Sequence, residues 1–506
     1  VTAVDEKEGL ANAGEILGGN YVATGNVILS SENDLAYDSS MSGQNISVES
    51  TQGDVKIGNT ISKGNLIVNT SKTAEFGGEI LNSSETRVID VAGTLAITAN
   101  EVKLAESNYT FGGFNIDAQN NIDIESATLK AKANVDRNIA GNISFKGSAI
   151  TTNADTVLDA DGHISLATTE NYTNDGVLIA KDQIHITSDG SIANNNEITA
   201  GKSIVLGKLS GDTYARNIKV TNQGAKGITS QNGDVMIFTE KLDSSSSITS
   251  VTANVVADAG DVLDAGNIDA GGNIYLQVDE NINVTGAISA GQGAVIFSNS
   301  LVNNNNITTS SGDIVIAKGV INGQILLSTD VSNNGLIQSD DSSVIIRADT
   351  LGNKGSLLAQ SGDMFLTAGN LTNSGAISSG DLSITVDDSY TQTSGNVHAD
   401  KTLSILSNQG SINLIGTASG WTAGSQSVNV VRPTLTGGDI KLQALEGITV
   451  KVAHLDAKGN SQEGLFGNLQ LLTEGKIDVG AVQLSGSKDF ETVNSFDVTV
   501  FFKDSA

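Results

Sequence analysis

GDMFLTAGNLTNSGAISSGD, residues Gly362 to Asp381, begins and ends on the same Gly-Asp pair. Its apolar residues never gather on a helical face. They alternate with polar ones in short runs, and alternation with a period of two is a strand with one buried face.

The same shape recurs along the chain. A Gly or polar pair opens short alternations in GNVIL at Gly25, GNLIV at Gly64, GNISF at Gly141, GHISL at Gly162 and GKSIVL at Gly201. Later copies are GGNIYL at Gly271, GDIVI at Gly312, GDLSI at Gly380, GGDIKL at Gly437 and GNLQL at Gly467. Their first inward residues align as Ile143, Ile164, Ile184 and Ile204, at spacings of 21, 20 and 20, each with an apolar partner two positions on. Between these runs lies a second motif: apolar, any residue, Asn, a few polar or Gly residues, apolar. It reads LANAGEI from Leu10, YTNDGVL from Tyr172, IANNNEI from Ile192 and VTNQGAKGI from Val220. It returns as LVNNNNI from Leu301, VSNNGLI from Val331, LGNKGSL from Leu351 and LTNSGAI from Leu371. The Asn column is Asn12, Asn174, Asn194, Asn222, Asn303, Asn333, Asn353 and Asn373. Asn tolerates left-handed turn geometry and bonds nearby backbone, so this column is expected in turns that stack, where amides bond one another in a ladder.

Each unit of about twenty residues thus holds two or three short strands joined by Gly/Asn turns. One unit cannot bury its own apolar face; stacked units can, each strand pairing with its equivalent above and below. Equivalent strands run the same way. The expected fold is all-β, a right-handed parallel β-helix with coils of about twenty residues and some expanded loops. Gly content and β-branched runs oppose a helical repeat.

Composition agrees. The 506 residues include 56 Gly, one Pro (Pro433), one Trp (Trp421), no Cys and only 4% aromatics, yet 38% are hydrophobic. Such a chain is too apolar for disorder and must bury small side chains in thin layers. A net charge of −29, with Arg only at Arg87, Arg137, Arg216, Arg347 and Arg432, argues against nucleic acid or anionic lipid as a partner. No apolar run approaches the ~18 residues of a membrane span. The chain starts at Val1 without a Met and is expected to be a piece of something longer. Residues 1–472 read as the repeat shaft. Residues 473–506, with Phe496, Phe501 and Phe502, break the repeat style and are expected to cap the last coil or to open a further region.

The period stretches in places: 29 residues from Leu66 to Leu95, 31 from Ile204 to Val235, 39 from Val235 to Ile274 and 37 from Leu403 to Ile440. The third interval reads as two coils or as one coil with a long loop. Expansions in a solenoid appear as outside loops. Protrusions are expected at about Gly207 to Asn217, Lys241 to Gly266 and Ser419 to Thr436, the last holding Trp421 and Arg432.

Chemistry-bearing residues are sparse. His163 and His185 fall on neighbouring coils with outward parity, either near a shared ion or as exposed polar residues; His398 and His454 stand apart. Asp340–Asp341 and Asp387–Asp388 are paired carboxylates, and Asp363 stacks over Asp381. Such oxygens suit Ca²⁺ or a glycosidase pair, against a solvated acidic face. No RTX-type calcium repeat is present. Gly271–Gly272 is followed by no helix and reads as a turn rather than a phosphate loop. The triplets at Asn45, Asn82, Asn142 and Asn370 match the glycosylation pattern, which so Asn-, Ser- and Thr-rich a chain also produces by chance.

The units GDMFLTAGNLTNSGAISSGDLSI and AGNISFKGSAITTNADTVLDADGHISLATTENYTNDGVLIAKDQIHI resemble the haemagglutinin repeats of filamentous haemagglutinin. That is the exoprotein family secreted by two-partner systems, which includes contact-dependent inhibition exoproteins. The resemblance covers roughly Leu10 to Leu472. It implies a right-handed β-helical rod at the Gram-negative cell surface, secreted with the help of an outer-membrane transporter partner. Some members are adhesins and others carry a C-terminal toxin. Neither the family's secretion-domain motif nor anything toxin-like is seen in this stretch. The lack of Cys fits a family whose chains cross the outer membrane unfolded.

The expected function is therefore an extracellular structural shaft. It would mediate cell contact through a host or neighbouring-cell receptor or glycan, or present a distal binding or toxin region. The competing reading is a β-helical polysaccharide-degrading enzyme or a tailspike-like glycan-binding protein. Scattered Arg and a single Trp make a poor sugar cleft, so the chain is expected not to be an enzyme. No catalytic, cofactor-binding or metal-binding residue is assigned, and no cofactor is expected.

Overall fold

The computed structural model describes residues 10–12, 16–17, 21–36, 41–77, 89–105, 107–321, 324–419, 429–458, 467–480, 483–484 and 497–502. The chain forms two compact units, Val1–Ala253 and Asn254–Ala506. Each is a parallel β-helix. Among the described residues there is no α-helix, only a 3₁₀ turn at Val135–Arg137.

In the first unit one coil consists of Ile164–Thr168, Tyr172–Asn174 and Val177–Ala180, and the next of Ile184–Ser188, Ser191–Asn194 and Glu197–Ala200. Each strand pairs in parallel with its equivalent: Ile164 with Ile184, Tyr172 with Ile192, Leu178 with Ile198. Along every strand buried and outward residues alternate, as a pleated strand with one wet face requires. Ile143, Ile164, Ile184, Ile204 and Val235 stand in register, all fully buried. Burying such a side chain contributes about 1.5–3 kcal/mol, and only the coil above and the coil below make that burial complete. Large rings cluster in the interior where Phe111 meets Phe114 edge-on at 4.5 Å and Phe114 meets Phe145 at 6.4 Å, while Phe76, Tyr172 and Tyr390 are buried singly elsewhere.

The second unit repeats the plan. Val255 pairs with Ile274, and the column continues through Ala294, Ile314, Val344, Met364, Leu382 and Leu403. Asp497–Phe502 pairs in parallel with Asn468–Thr473, so the strand holding Phe501 and Phe502 extends the stack by one more strand.

The Gly-Asn and Gly-Asp pairs that open each first strand have a mechanical role. The Oδ1 atom of Asp363 accepts the backbone N–H of Asp381 at 3.0 Å, and the Oδ1 of Asp381 accepts that of Thr402 at 3.0 Å. Asn45, Asn65, Asn142 and Asn273 do the same for the coil after each of them. The side chain bridges a corner where backbone pairing lapses, so a short polar side chain recurs once per coil.

Three sequence expectations are corrected. Residues 241–266 form no protrusion. In the first unit Leu242 pairs with Val220 and Ile248 with Ile228; in the second, Val255 pairs with Ile274 and Val262 with Ile282. The 39-residue interval is the first of its two readings, two ordinary coils, with Ala253–Asn254 in place of the usual Gly-Asn pair at the start of the second.

The Asn column is the second correction, since it does not sit in left-handed turns. Among the described residues the non-Gly positions with positive φ are Ser126, Asn138 and Val452. Asn174, Asn194, Asn222, Asn303, Asn333, Asn353 and Asn373 end their strands and point inward, fully buried. The ladder itself forms: Asn174 donates to Asn194 at 2.8 Å, Asn194 to Asn222 at 2.9 Å, and Asn222 to Ser244 at 3.0 Å. In the second unit Asn303 donates to Asn333 at 2.7 Å and Asn333 to Asn353 at 2.8 Å. Thirdly, Asn12 belongs to another column, its strand pairing with Leu29–Ser31 so that Asn12 stands opposite Ser31.

Candidate functional site

Departures from the coil are the places where side chains of different elements converge. The expected protrusion at Gly207 to Asn217 is an antiparallel hairpin in which Leu209 pairs with Tyr214 and Ser210 with Thr213. Its turn uses Gly211 at φ 62, a left-handed position that suits Gly. The hairpin lies against the outward face of the first strands. The Tyr214 hydroxyl bonds the Nδ1 of His185 at 3.0 Å, and its ring stacks on Phe238 at 5.9 Å and 9°. Ion pairs join Lys208 to Asp189 at 3.3 Å and Arg216 to Glu240 at 3.9 Å. Burial, helped by neighbouring His163, holds the His185 imidazole below its ordinary 6.5. Burial also raises the Tyr214 hydroxyl. The Tyr214–His185 bond and the Tyr214–Phe238 stack pin the hairpin to the coil.

The hairpin at the expected Ser419 to Thr436 loop is shorter than read. Thr417 pairs with Val431 and Ala418 with Val430, while Thr434–Gly437 already belongs to the coil, its Leu435 opposite Val397. Trp421 lies outside the described residues. Two further excursions were unread in the sequence: a hairpin in which Val320 pairs with Ile325, and the 3₁₀ excursion capped by Asn134, which accepts the backbone N–H of Arg137. GVINGQIL resembles another coil strand, which concealed the first of these. Beside the second is a shallow groove of about 360 Å³ lined by Gly112, Gly113, Asn115, Asn142 and His163.

The other expected groups do not converge. Asp340 accepts from Gln338 at 2.6 Å in one corner of a coil. Asp387 accepts from Asn408 at 3.0 Å and Asp388 from Asn370 at 3.3 Å in a different corner. Asp363 and Asp381 are occupied by backbone N–H groups, and Asp381 also faces Lys401 at 3.7 Å. Among the described residues no group of three or more His, Asp or Glu side chains converges as metal ligands would. Gly271–Gly272 turns one strand into the next. Asn45 and Asn142 accept backbone N–H groups and Asn370 accepts from Ser389, whereas Asn82 lies outside the described residues.

His398 makes the arrangement closest to catalytic chemistry. Its Nδ1 meets the Thr436 hydroxyl at 2.7 Å and its Nε2 meets Asp400 at 3.0 Å. A carboxylate, an imidazole and a hydroxyl in series is the logic of an activated nucleophile. Here Asp400 is 67% exposed, and His398 pairs in register with Thr436 on an outward sheet face. The chain of bonds ties one coil to the next, as cross-strand polar pairs do. His454 lies elsewhere on these third strands, and burial, then Arg432, hold its imidazole below the ordinary value.

Comparison of the chain with protein-family models, with curated proteins and with solved structures finds no match.

Proposed function

We propose that this chain is a structural shaft segment of a secreted exoprotein of the filamentous-haemagglutinin type. In this reading it reaches the Gram-negative cell surface through an outer-membrane transporter partner. There it touches a host or neighbouring-cell receptor or glycan, or carries a distal binding or toxin region. The supporting observation is the constancy of the coil. In each unit interior columns such as Ile143–Ile164–Ile184–Ile204 continue without interruption, while departures point outward as short hairpins. A stack of like coils serves as a stiff support, and loops on a rigid scaffold are where contact residues belong.

The test is binding of the purified chain to epithelial cells and to neighbouring bacteria, before and after residues 208–215 are replaced by a short Gly-Ser bridge. Loss of binding with the fold intact assigns contact to that hairpin. Unchanged binding assigns it to another surface, and no binding by the parent removes the contact role and leaves support alone. A screen against acidic and neutral polysaccharides tests the enzymatic alternative. Turnover abolished by Asp387→Asn or Asp340→Asn would replace the shaft reading.

A further inference from the structure

In the second unit one outward column is apolar over six successive coils. Val256 pairs with Tyr275, Tyr275 with Val295, Val295 with Val315, Val315 with Ile345, and Ile345 with Phe365. These residues alternate with the buried ones of the same strands, so they stand on the outer face of the first-strand sheet. Tyr275 is 42% exposed and Phe365 46%. Four strand steps separate those two rings, about 19 Å at the usual spacing.

The fold does not require this chemistry. On the following coils the same column holds Ser383 and then Ser404. In the first unit it is mixed: Ser47, Asn115, Ser144, Ser165 and His185 stand among Ile28, Ile67, Ala96, Val205 and Met236. Serine is therefore compatible with the position, and β-propensity alone does not account for six apolar residues in line. A contiguous outward apolar strip, half-buried between two exposed rings, on a strongly acidic protein marks an interaction surface.

The borders of the strip say what fits it. Asp313 and Asp363 stand just before their strands, Asp279 just after its strand, and Asp349 four residues beyond Ile345 within Val344–Asn353. Lys318 and Arg347 are cations on this side, and these four carboxylates outnumber them. A second copy would bring the same acidic borders, and a chain of net charge −29 repels itself. We propose that this face docks a polypeptide segment with apolar side chains along one side and Lys or Arg at its margins. The apolar side covers the strip from Tyr275 to Phe365, and the basic margins meet the flanking carboxylates. This holds whether or not the chain is a shaft, because it rests on the second unit's face alone.

The probe is a short labelled peptide of alternating leucine and lysine, with alternating leucine and glutamate as control, titrated with the full chain by fluorescence anisotropy. The leucine–lysine peptide is expected to bind and to weaken with salt, and the leucine–glutamate peptide not to bind. The triple variant Tyr275→Ser/Val295→Ser/Phe365→Ser should lose about tenfold or more in affinity, with an unchanged circular dichroism spectrum. Ile28→Ser/Ile67→Ser in the first unit should leave binding as in the parent. If the triple variant misfolds, Phe365→Ser alone, next to natural Ser383, takes its place and should weaken binding severalfold. Equal affinity of the triple variant and parent would mean mere attraction to an acidic surface and would overturn the proposal. So would concentration-dependent self-association of the parent that the triple variant lacks. Binding of a neutral polysaccharide lost in the same variant would likewise overturn it.

Discussion

Asn353 donates its side-chain amide to the Oδ1 of Asn373 at 2.8 Å, one coil away inside the second unit. Its other amide hydrogen reaches the carbonyl of Ala376 at 3.1 Å, and its own Oδ1 accepts from Asn333 at 2.8 Å. A buried amide is costly unless bonded, and here each coil satisfies the next. Replacing one member, as in Asn353→Leu, should cost about 1–3 kcal/mol for each group left unpaired. Replacing Asn303, Asn333, Asn353 and Asn373 together should cost less than the sum of the four singles, since Val284 and Leu414 fill the same column nearby. Denaturant unfolding of the five variants measures this, and strict additivity would mean that the ladder bonds do not couple.

Asp381 accepts a backbone N–H through one oxygen, a task that Asn performs at the equivalent corner of other coils. Asp381→Asn should therefore unfold within about 0.5 kcal/mol of the parent, and Asp381→Ala should lose about 1 kcal/mol. Calcium should leave both midpoints unmoved. A calcium-dependent rise in the parent alone would assign the Asp363–Asp381 stack to an ion instead.

A Cβ on Gly355 would lie 1.9 Å from the Gly335 carbonyl oxygen, whereas one on Gly352 would meet nothing within 4 Å. Gly355→Ala should destabilise by about 1–3 kcal/mol, because backbone must move. Gly352→Ala should be neutral, or stabilising by up to about 1 kcal/mol through the unfolded chain. Thermal unfolding separates the two, and equal midpoints would show that the corner yields freely.

His185 and His454 have pKa values below 6.5 in the folded chain, the first by burial beside His163 and the second by burial beside Arg432. In the window from 6.5 down to the folded values the unfolded chain binds more protons than the folded one. Stability is thus fully present above 6.5 and falls as pH drops through that window. The urea midpoint should decline between about pH 7 and pH 5. Tyr214→Ala opens His185 to water and should move its NMR titration upward. An unmoved titration would mean the Tyr214 ring does not supply the burial.

Much of the fold was legible because burial of one face imposes a period of two, and stacking imposes a period near twenty. Ile143, Ile164, Ile184 and Ile204 could be aligned by eye, and their register is the observed one. The hairpin at Leu209–Tyr214 was legible as an excess of residues between two aligned strands. The inward Asn column was half legible. Asn373 lies two residues after Leu371 and so shares its buried face, but an isolated coil offers that amide no partner, and polarity argued for a turn. Only the coils above and below supply the bonds that make its burial tolerable. The apolar line from Val256 to Phe365 was not legible, because outward positions are free of the packing that writes a pattern into sequence. Cross-coil register brings those residues into one row, and register is set by the stack as a whole.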